Sequence, residues 1–259
     1  LQLVLAALVD PGSRVLLPDP GYPCNRNFAR LFEGEGALVP VGPDSAYQLT
    51  AEHIRAHWDD ATVAAMTASP ANPTGTVADG PTLRDLNETV RERGGRLLVD
   101  EIYHGLVYGG EAATAVAATD QAFVINSFSK YFGMTGWRLG WVVAPPEYVG
   151  ELDKLAGNLF LSPPTVAQHA ALAAFGAETR AILEERRAAF EARRDYLVPA
   201  LGELGLDIPV APSGAFYCYA DASRFTSDTF GLAERLLEEA GVAVTPGRDF
   251  GDHAPGRHL

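Results

Sequence analysis

Residues 96–130, RLLVDEIYHGLVYGGEAATAVAATDQAFVINSFSK, contain two short apolar runs that each end in polar residues. The runs Arg96 to Val99 and Phe123 to Asn126 are apolar rather than alternating, which predicts strands buried on both faces of a sheet. Asp100 follows the first run, and Ser127 to Lys130 follow the second. Ligands bind at the carboxyl ends of strands in open α/β sheets, so this stretch predicts both a sheet and a binding site at its edge.

Further runs outside this stretch extend the same pattern. We predict strands at Arg14 to Leu17, Ala37 to Val41, Val63 to Thr67 and Arg138 to Val143. Leu83, Leu86 and Val90 are spaced as on a helix, which Gly94-Gly95 closes. The alternation predicts an α/β fold with a mostly parallel sheet sandwiched by helices. The opening apolar run, Leu1 to Val9, is too short to span a membrane and predicts part of a buried helix.

The pattern changes after about Pro146, and we predict two domains. Residues 1–160 form a large α/β domain, and residues 161–259 form a long connecting helix and a smaller α+β domain. Helices are predicted at Glu147 to Phe160, at about Thr179 to Leu204 and near Phe230 to Ala240. Pro199 should kink or break the second of them. Strands are predicted at Ile208 to Ala211, Ala215 to Tyr219 and Val242 to Thr245.

Composition excludes several classes of protein. The formal net charge of -13 argues against a nucleic-acid surface, which needs clustered Lys and Arg. No apolar stretch reaches the length of a membrane span. Cys24 and Cys218 are far apart and lack metal-ligand spacing. His253 and His258 lack the acidic or cysteine residues that would complete a metal site. We therefore expect a cytoplasmic protein with no metal site and with no nucleic-acid or membrane partner.

The cluster Ser127-Phe128-Ser129-Lys130 points to carbonyl and phosphate chemistry. A lysine at a strand end can lose its proton and form a Schiff base with an aldehyde. Ser127 and Ser129 can donate hydrogen bonds to a phosphate, and Arg138, eight residues after Lys130, could clamp that phosphate. A surface lysine beside loop serines would also match the bare motif. The arginine and its flanking Gly136 and Gly140 favour the functional interpretation.

Three more clusters follow strand ends or turns. A carboxylate at Asp100 could pair with a protonated pyridine nitrogen, and Tyr103 could hydrogen-bond a ring oxygen. Taken alone, Asp100 also matches a helix N-cap. The turn Asn72-Pro73-Thr74-Gly75 offers an amide donor. Tyr22, within Pro18-Asp19-Pro20-Gly21-Tyr22-Pro23, could stack on a flat heterocycle, or the loop could simply be rigid.

Together these clusters resemble the class I/II aminotransferases, which share the aspartate aminotransferase fold and use pyridoxal 5'-phosphate (PLP). The order of the clusters matches, Asp100 precedes Lys130 by thirty residues, and Pro212 to Tyr217 is similar to the family's strand that faces the substrate. The resemblance implies that Lys130 binds the cofactor covalently and transfers protons, and that Asp100 pairs with the pyridine nitrogen. It further implies that Tyr103 and Asn72 hold the 3-oxygen, Tyr22 stacks on the ring, and Ser127, Ser129 and Arg138 bind phosphate.

The resemblance implies transfer of an amino group between an amino acid and a 2-oxo acid by a homodimer. A PLP-dependent C–S lyase, decarboxylase or cyclopropane-forming synthase would use the same cofactor contacts, so these reactions stay open. So does a PLP-sensing effector domain of a transcriptional regulator. Relatives have about ninety residues before the position of Leu1 and an arginine beyond Leu259. We therefore expect a chain truncated at both ends, with weak retention of PLP.

Overall fold

A computed structural model describes all residues of the chain, 1–259. Six strands form a single sheet: β1 (Arg14–Asp19), β2 (Glu35–Pro40), β3 (Thr62–Ala68), β4 (Arg96–Asp100), β5 (Phe123–Ser127) and β6 (Gly140–Val143). Their order is β2-β1-β3-β4-β5-β6. All neighbours are parallel except β5 and β6, which run antiparallel. The carboxyl ends of β1 to β5 therefore meet at one edge, as the sequence predicted.

Helices cover both faces of this sheet. The helices before and between the strands are α1 (Gln2–Leu8), α2 (Cys24–Arg30), α3 (Ala51–His57), α4 (Gly80–Glu92) and α5 (Ala115–Ala118). Successive strand residues point to opposite faces: Leu97 packs in the cluster that contains α3, α4 and α5, whereas Leu98 packs in the cluster that contains α1 and α2. The predicted sandwich of a mostly parallel sheet between helices is confirmed.

The helix α4 shows how local sequence sets an element. The Asp79 side chain caps its first turn by accepting the backbone N–H of Thr82 at 2.8 Å. Leu83, Leu86 and Val90 form its buried stripe. Gly94, at φ +79°, adopts the left-handed conformation that follows the helix end. This helix and its closure were both predicted from the sequence, as was the buried helix α1.

The start of β6 differs from the prediction. The strand begins at Gly140, not at Arg138. Arg138 lies after a short 3₁₀ turn and has φ +54°, in the left-handed region, which extended backbone does not use. The side chain of Arg138 is therefore presented from a turn beside the strand rather than from the sheet.

The second part of the chain is mainly helical. It contains α6 (Pro146–Leu159), α7 (Thr165–Ala174), α8 (Ala177–Leu204) and α9 (Thr229–Ala240). The helix α8 continues through Pro199, so of the two predicted outcomes, a kink or a break, the break is wrong. Pro199 cannot donate to the carbonyl of Asp195, but Asp195 is exposed, so water can replace that bond. None of the helices has the combination of length and apolar character needed to cross a membrane.

The three strands predicted after residue 205 do not form. These segments make only isolated bridges, Val107 with Gly214, Asp207 with Asp221, and Asp221 with His258. Pro209 and Pro212 lack the amide hydrogen that a ladder requires. The segment Val242 to Thr245 has no neighbouring strand in the sheet topology. The second region therefore consists of helices joined by turns and irregular segments, and a domain division near residue 160 stays a prediction.

Candidate active site

The predicted clusters all lie at the carboxyl edge of the sheet. The loop with Tyr22 follows β1, the turn with Asn72 follows β3, and Lys130 follows β5. Asp100 is the last residue of β4 itself. Because β1, β3, β4 and β5 are consecutive neighbours and parallel, residues up to about a hundred positions apart share one edge.

The amine of Lys130 faces aromatic rings. Its Nζ lies 5.3 Å from the ring centroid of Tyr103 and 5.6 Å from that of Phe216. The side chain is half-buried, and no carboxylate lies within ion-pair distance of it. A charged amine in this position can interact with the faces of the two rings. The arrangement leaves the amine free to bond to another molecule.

Asp100 presents a carboxylate with few partners of its own. Its Oδ1 accepts the backbone N–H of Ile102 at 3.1 Å. Residues 102–105 form turns rather than a helix, so the alternative of a helix N-cap is wrong. Burial raises the pKa of Asp100 to about 6, against the opposing effects of the Ile102 amide and of nearby positive charges that include Lys130. Such a carboxylate favours a cationic partner or a proton.

Tyr103, Tyr217 and Asn72 form a chain of hydrogen bonds. The hydroxyl groups of Tyr103 and Tyr217 lie 2.6 Å apart, and Nδ2 of Asn72 donates to the Tyr217 hydroxyl at 3.4 Å. Burial raises the pKa of Tyr103, so its hydroxyl stays protonated. Oδ1 of Asn72 is buried without a hydrogen-bond partner. Three polar groups thus converge from three distant segments.

Tyr217 and Phe216 were not among the predicted site residues. Both belong to the segment Pro212 to Tyr217, whose sequence predicted only a motif that faces the substrate. Gly75 binds this segment, because its carbonyl accepts the amides of Ser213 and Gly214 at 3.0 and 2.9 Å. A Cβ atom at Gly75 would approach Cβ of Pro212 to 2.5 Å, so glycine permits the close approach. The motif therefore carried the signal for both missed residues.

The two serines and Arg138 form a group of donors after β5. Oγ of Ser127 donates to Oγ of Ser129 at 2.9 Å and accepts the Ser129 backbone N–H at 3.0 Å. The hydroxyl hydrogen of Ser129 thereby stays available. The Arg138 guanidinium is exposed, and its single hydrogen bond is from Nη1 to the carbonyl of Thr135 at 2.9 Å. Most N–H groups of Arg138 can therefore bind an anion.

Tyr22 lies in the loop that follows β1, at the same edge of the sheet. Its ring is 44% exposed, and none of the chain's other aromatic rings stacks on it. A hydrogen bond with Cys24, together with burial, raises the pKa of Tyr22 to about 12. An exposed, protonated aromatic ring is available for stacking.

Comparison with known proteins gives one consistent result. The sequence model of the family described as aminotransferase class I and II matches residues 1–257. The valine–pyruvate aminotransferase of Mycobacterium tuberculosis is 41% identical over 250 residues, which are 96% of this chain and 64% of that protein. The chain therefore spans somewhat less than two thirds of that relative's length.

Solved structures give the same picture. An aminotransferase from Mycobacterium tuberculosis has a TM-score of 0.94 at 41% identity, over 99% of this chain and 67% of the other. The aspartate aminotransferase from Thermus thermophilus with maleate has a TM-score of 0.91 at 36% identity, over 99% of this chain and 67% of the other. The similarity extends over the whole of the sheet and over the helices that follow it.

Proposed function

Because the chain belongs to the class I and II aminotransferase family, we propose that it supplies the cofactor site of an enzyme that moves an amino group between an amino acid and a 2-oxo acid. The family depends on PLP. The observation that carries the proposal is the Lys130 amine, which has no ion-pair partner and lies against the Tyr103 and Phe216 rings. The names of the similar proteins, which include valine–pyruvate and aspartate aminotransferases, support amino acids and 2-oxo acids as substrates.

The residues present fit PLP part by part. Its aldehyde requires an amine, which Lys130 offers, and its pyridine nitrogen requires an acidic partner, which Asp100 offers. Its phosphate requires donors with free hydrogens, and those are found at Ser129 and Arg138. Asn72 and Tyr103 offer donors for the 3-oxygen, and Tyr22 offers an exposed ring for stacking. Ser127 orients Ser129 through the bond between their hydroxyl oxygens.

PLP, when bound, supplies an electron sink for the pair of electrons left when a bond at the amino-acid α-carbon breaks. The protein supplies proton transfer and orientation. The Lys130 Nζ, when neutral, can accept a proton and return it at a neighbouring atom. With PLP bound, the carboxylate of Asp100 would favour the cationic form of the pyridine nitrogen by its charge. The Tyr103 and Phe216 rings exclude water from the side of Lys130 that they cover.

We propose a large domain of residues 1–160 and a second region of residues 161–259, a homodimer, and a cytoplasmic location. The exposed apolar side chains after α6 are compatible with a subunit interface, since Phe160 is 50% and Leu161 is 84% exposed. Size-exclusion chromatography with light scattering would measure the assembly.

The lysine content of the chain permits a simple test of Lys130. The sequence has two lysines, Lys130 and Lys154, and Lys154 is exposed on α6. We expect PLP to give a visible absorption band, and reduction with borohydride to leave a phosphopyridoxyl group on Lys130. Lys130→Ala should abolish the band and the label, whereas the matched control Lys154→Ala should retain both. Peptide mass spectrometry locates the label.

The outcome separates the site assignment from the reaction. A label on Lys154 in the wild type, or a band that survives Lys130→Ala, would refute the assignment of Lys130. Amino transfer requires product to form only when a 2-oxo acid acceptor is present. Release of pyruvate and ammonia without an acceptor would instead identify a lyase.

A further inference from the structure

The carboxylate of Asp19 joins two segments that are more than 230 residues apart in sequence. Asp19 is the last residue of β1, and it is 3% exposed. Its Oδ2 accepts the backbone N–H groups of Asp252 and His253, both at 3.0 Å. Hydrogen bonds to an ionised group are stronger than neutral ones. Asp19 therefore holds the backbone of residues 252–253 against the end of the sheet.

Gly251 allows this approach. A Cβ atom at Gly251 would overlap Oδ1 of Asp19, so any larger residue would displace the carboxylate. Oδ1 of Asp19 is buried and has no hydrogen-bond partner, because the backbone of Gly251 lies against it. The requirement for glycine is steric, since Gly251 is not among the glycines with positive φ. Asp19 and Gly251 thus depend on each other.

The same contact includes the loop that carries Tyr22. The N–H of Gly21 donates to the carbonyl of Phe250 at 2.8 Å. Two contacts therefore join residues 19–21 to residues 250–253. The Asp19 carboxylate accepts the amides of Asp252 and His253, and the Gly21 amide donates to Phe250. An ion pair between Arg26 and Asp252, 3.4 Å long and exposed, adds little to this contact.

We infer that Asp19 is a positioning residue: its carboxylate fixes segment 250–253 against loop 18–23 and thereby sets the position of Tyr22. Tyr22 directly follows Gly21, whose amide is bonded to Phe250. A shift of loop 18–23 that moves the Tyr22 backbone therefore requires loss of the contact with segment 250–253. The contact itself is independent of any cofactor. Its consequence for cofactor binding rests on the function proposed above.

Hydrogen exchange of backbone amides tests the contact directly. In Asp19→Ala we expect exchange about tenfold to a hundredfold faster at Asp252 and His253, from the loss of hydrogen bonds to a charged group. The amides of Gly21 and Tyr22 should also exchange faster. Asp19→Asn should show a smaller effect, because its side-chain oxygen can accept the same amides. The control Asp60→Ala removes an exposed carboxylate without a hydrogen bond and should change neither segment.

Gly251→Ala provides a second, independent route to the same state. It should accelerate exchange in both segments, because the methyl group displaces the carboxylate. In the double variant Asp19→Ala/Gly251→Ala, the amides should exchange no faster than in the faster-exchanging single variant. The reason is that removal of the carboxylate makes room for the methyl group. Effects that multiply in the double variant would show that the two residues act separately, and would overturn the inference.

PLP affinity tests the consequence for Tyr22. Tyr22→Ala measures how much PLP affinity depends on the Tyr22 ring. Asp19→Ala should also weaken PLP affinity. The double variant Asp19→Ala/Tyr22→Ala should bind PLP no more weakly than Tyr22→Ala does. Additive losses, or faster exchange confined to segment 250–253 with Gly21 and Tyr22 unchanged, would refute a positioning role. If the wild type binds no PLP, the proposed function fails, while hydrogen exchange still decides whether Asp19 holds the two segments together.

Discussion

Replacing Asp100 with Asn should stabilise the chain at neutral pH while damaging its proposed site. Burial raises the pKa of Asp100 from its ordinary value of 3.8 to about 6. The folded chain therefore binds this proton more tightly than the unfolded chain does. Ionisation of Asp100 consequently costs the folded state free energy. Asn keeps the size of the side chain and can still accept the N–H of Ile102, but it carries no charge.

The size of the effect follows from the two pKa values. A difference of about two in pKa corresponds to about 3 kcal/mol, since each unit is worth 1.36 kcal/mol. The penalty is absent below about pH 3.8 because Asp100 is then protonated in both states. It grows as the pH rises toward 6 and is complete above that. At pH 7, Asp100→Asn should therefore be more stable than the wild type by about 3 kcal/mol, and near pH 4 by almost nothing.

Urea unfolding of the cofactor-free chain at a series of pH values between 4 and about 7.5 measures this difference. The free-energy gap between Asp100→Asn and the wild type should open between about pH 4 and pH 6 and stay constant above it. Asp60→Asn, which removes an exposed carboxylate, serves as the matched control. A difference in unfolding free energy that has its full size at pH 4, or that stays near zero at every pH, would refute a raised pKa at Asp100. PLP should then stabilise the wild type more than Asp100→Asn, because the cofactor nitrogen offers the carboxylate a partner.

Two further substitutions test the support beneath the site. Gln48 is 5% exposed, donates to the carbonyl and hydroxyl oxygens of Thr76 and accepts from the Thr67 hydroxyl at 3.0 Å. Gln48→Ala leaves the Thr67 hydroxyl without an acceptor and opens a cavity, so we expect a loss of about 3 kcal/mol in urea unfolding. The control Gln2→Ala, on an exposed position, should change stability by less than about 0.5 kcal/mol. Phe123→Ala removes a fully buried ring at the start of β5 and should lower the free energy of unfolding by about 3–5 kcal/mol. A loss below about 1 kcal/mol would instead show that the core fills the cavity.

The sequence determined the sheet and most of the site because both depend on local patterns. A strand buried on both faces must be apolar throughout, so its end is visible where polar residues begin, as at Asp100 and Ser127. The helical spacing of Leu83, Leu86 and Val90 and the closing Gly94 likewise predicted α4. Because the carboxyl ends of parallel strands lie at one edge of a sheet, the sequence also predicted Asn72, Asp100 and Lys130 at that edge.

Local patterns failed where a segment depends on distant partners. Apolar residues at Ala215 to Tyr219 predicted a strand, yet this segment pairs with irregular backbone near Val107 rather than with another strand. Likewise, the sequence of Arg138 to Val143 is that of a continuous strand. Its first residue instead adopts a left-handed conformation, set by the turn before it. Neither outcome can be derived from propensity, because tertiary contacts override it.

What only the tertiary structure decided was how the distant segments meet. The pairing of Tyr103 with Tyr217 spans 114 residues, and the bonds from Asp252 and His253 to Asp19 span 233 and 234. No periodicity links such positions, because each bond requires a particular approach of two segments, as Gly75 and Gly251 permit. The sequence thus specified which residues carry the proposed chemistry, and the packing of the chain specified the hydroxyl groups, rings and backbone amides that hold them in place.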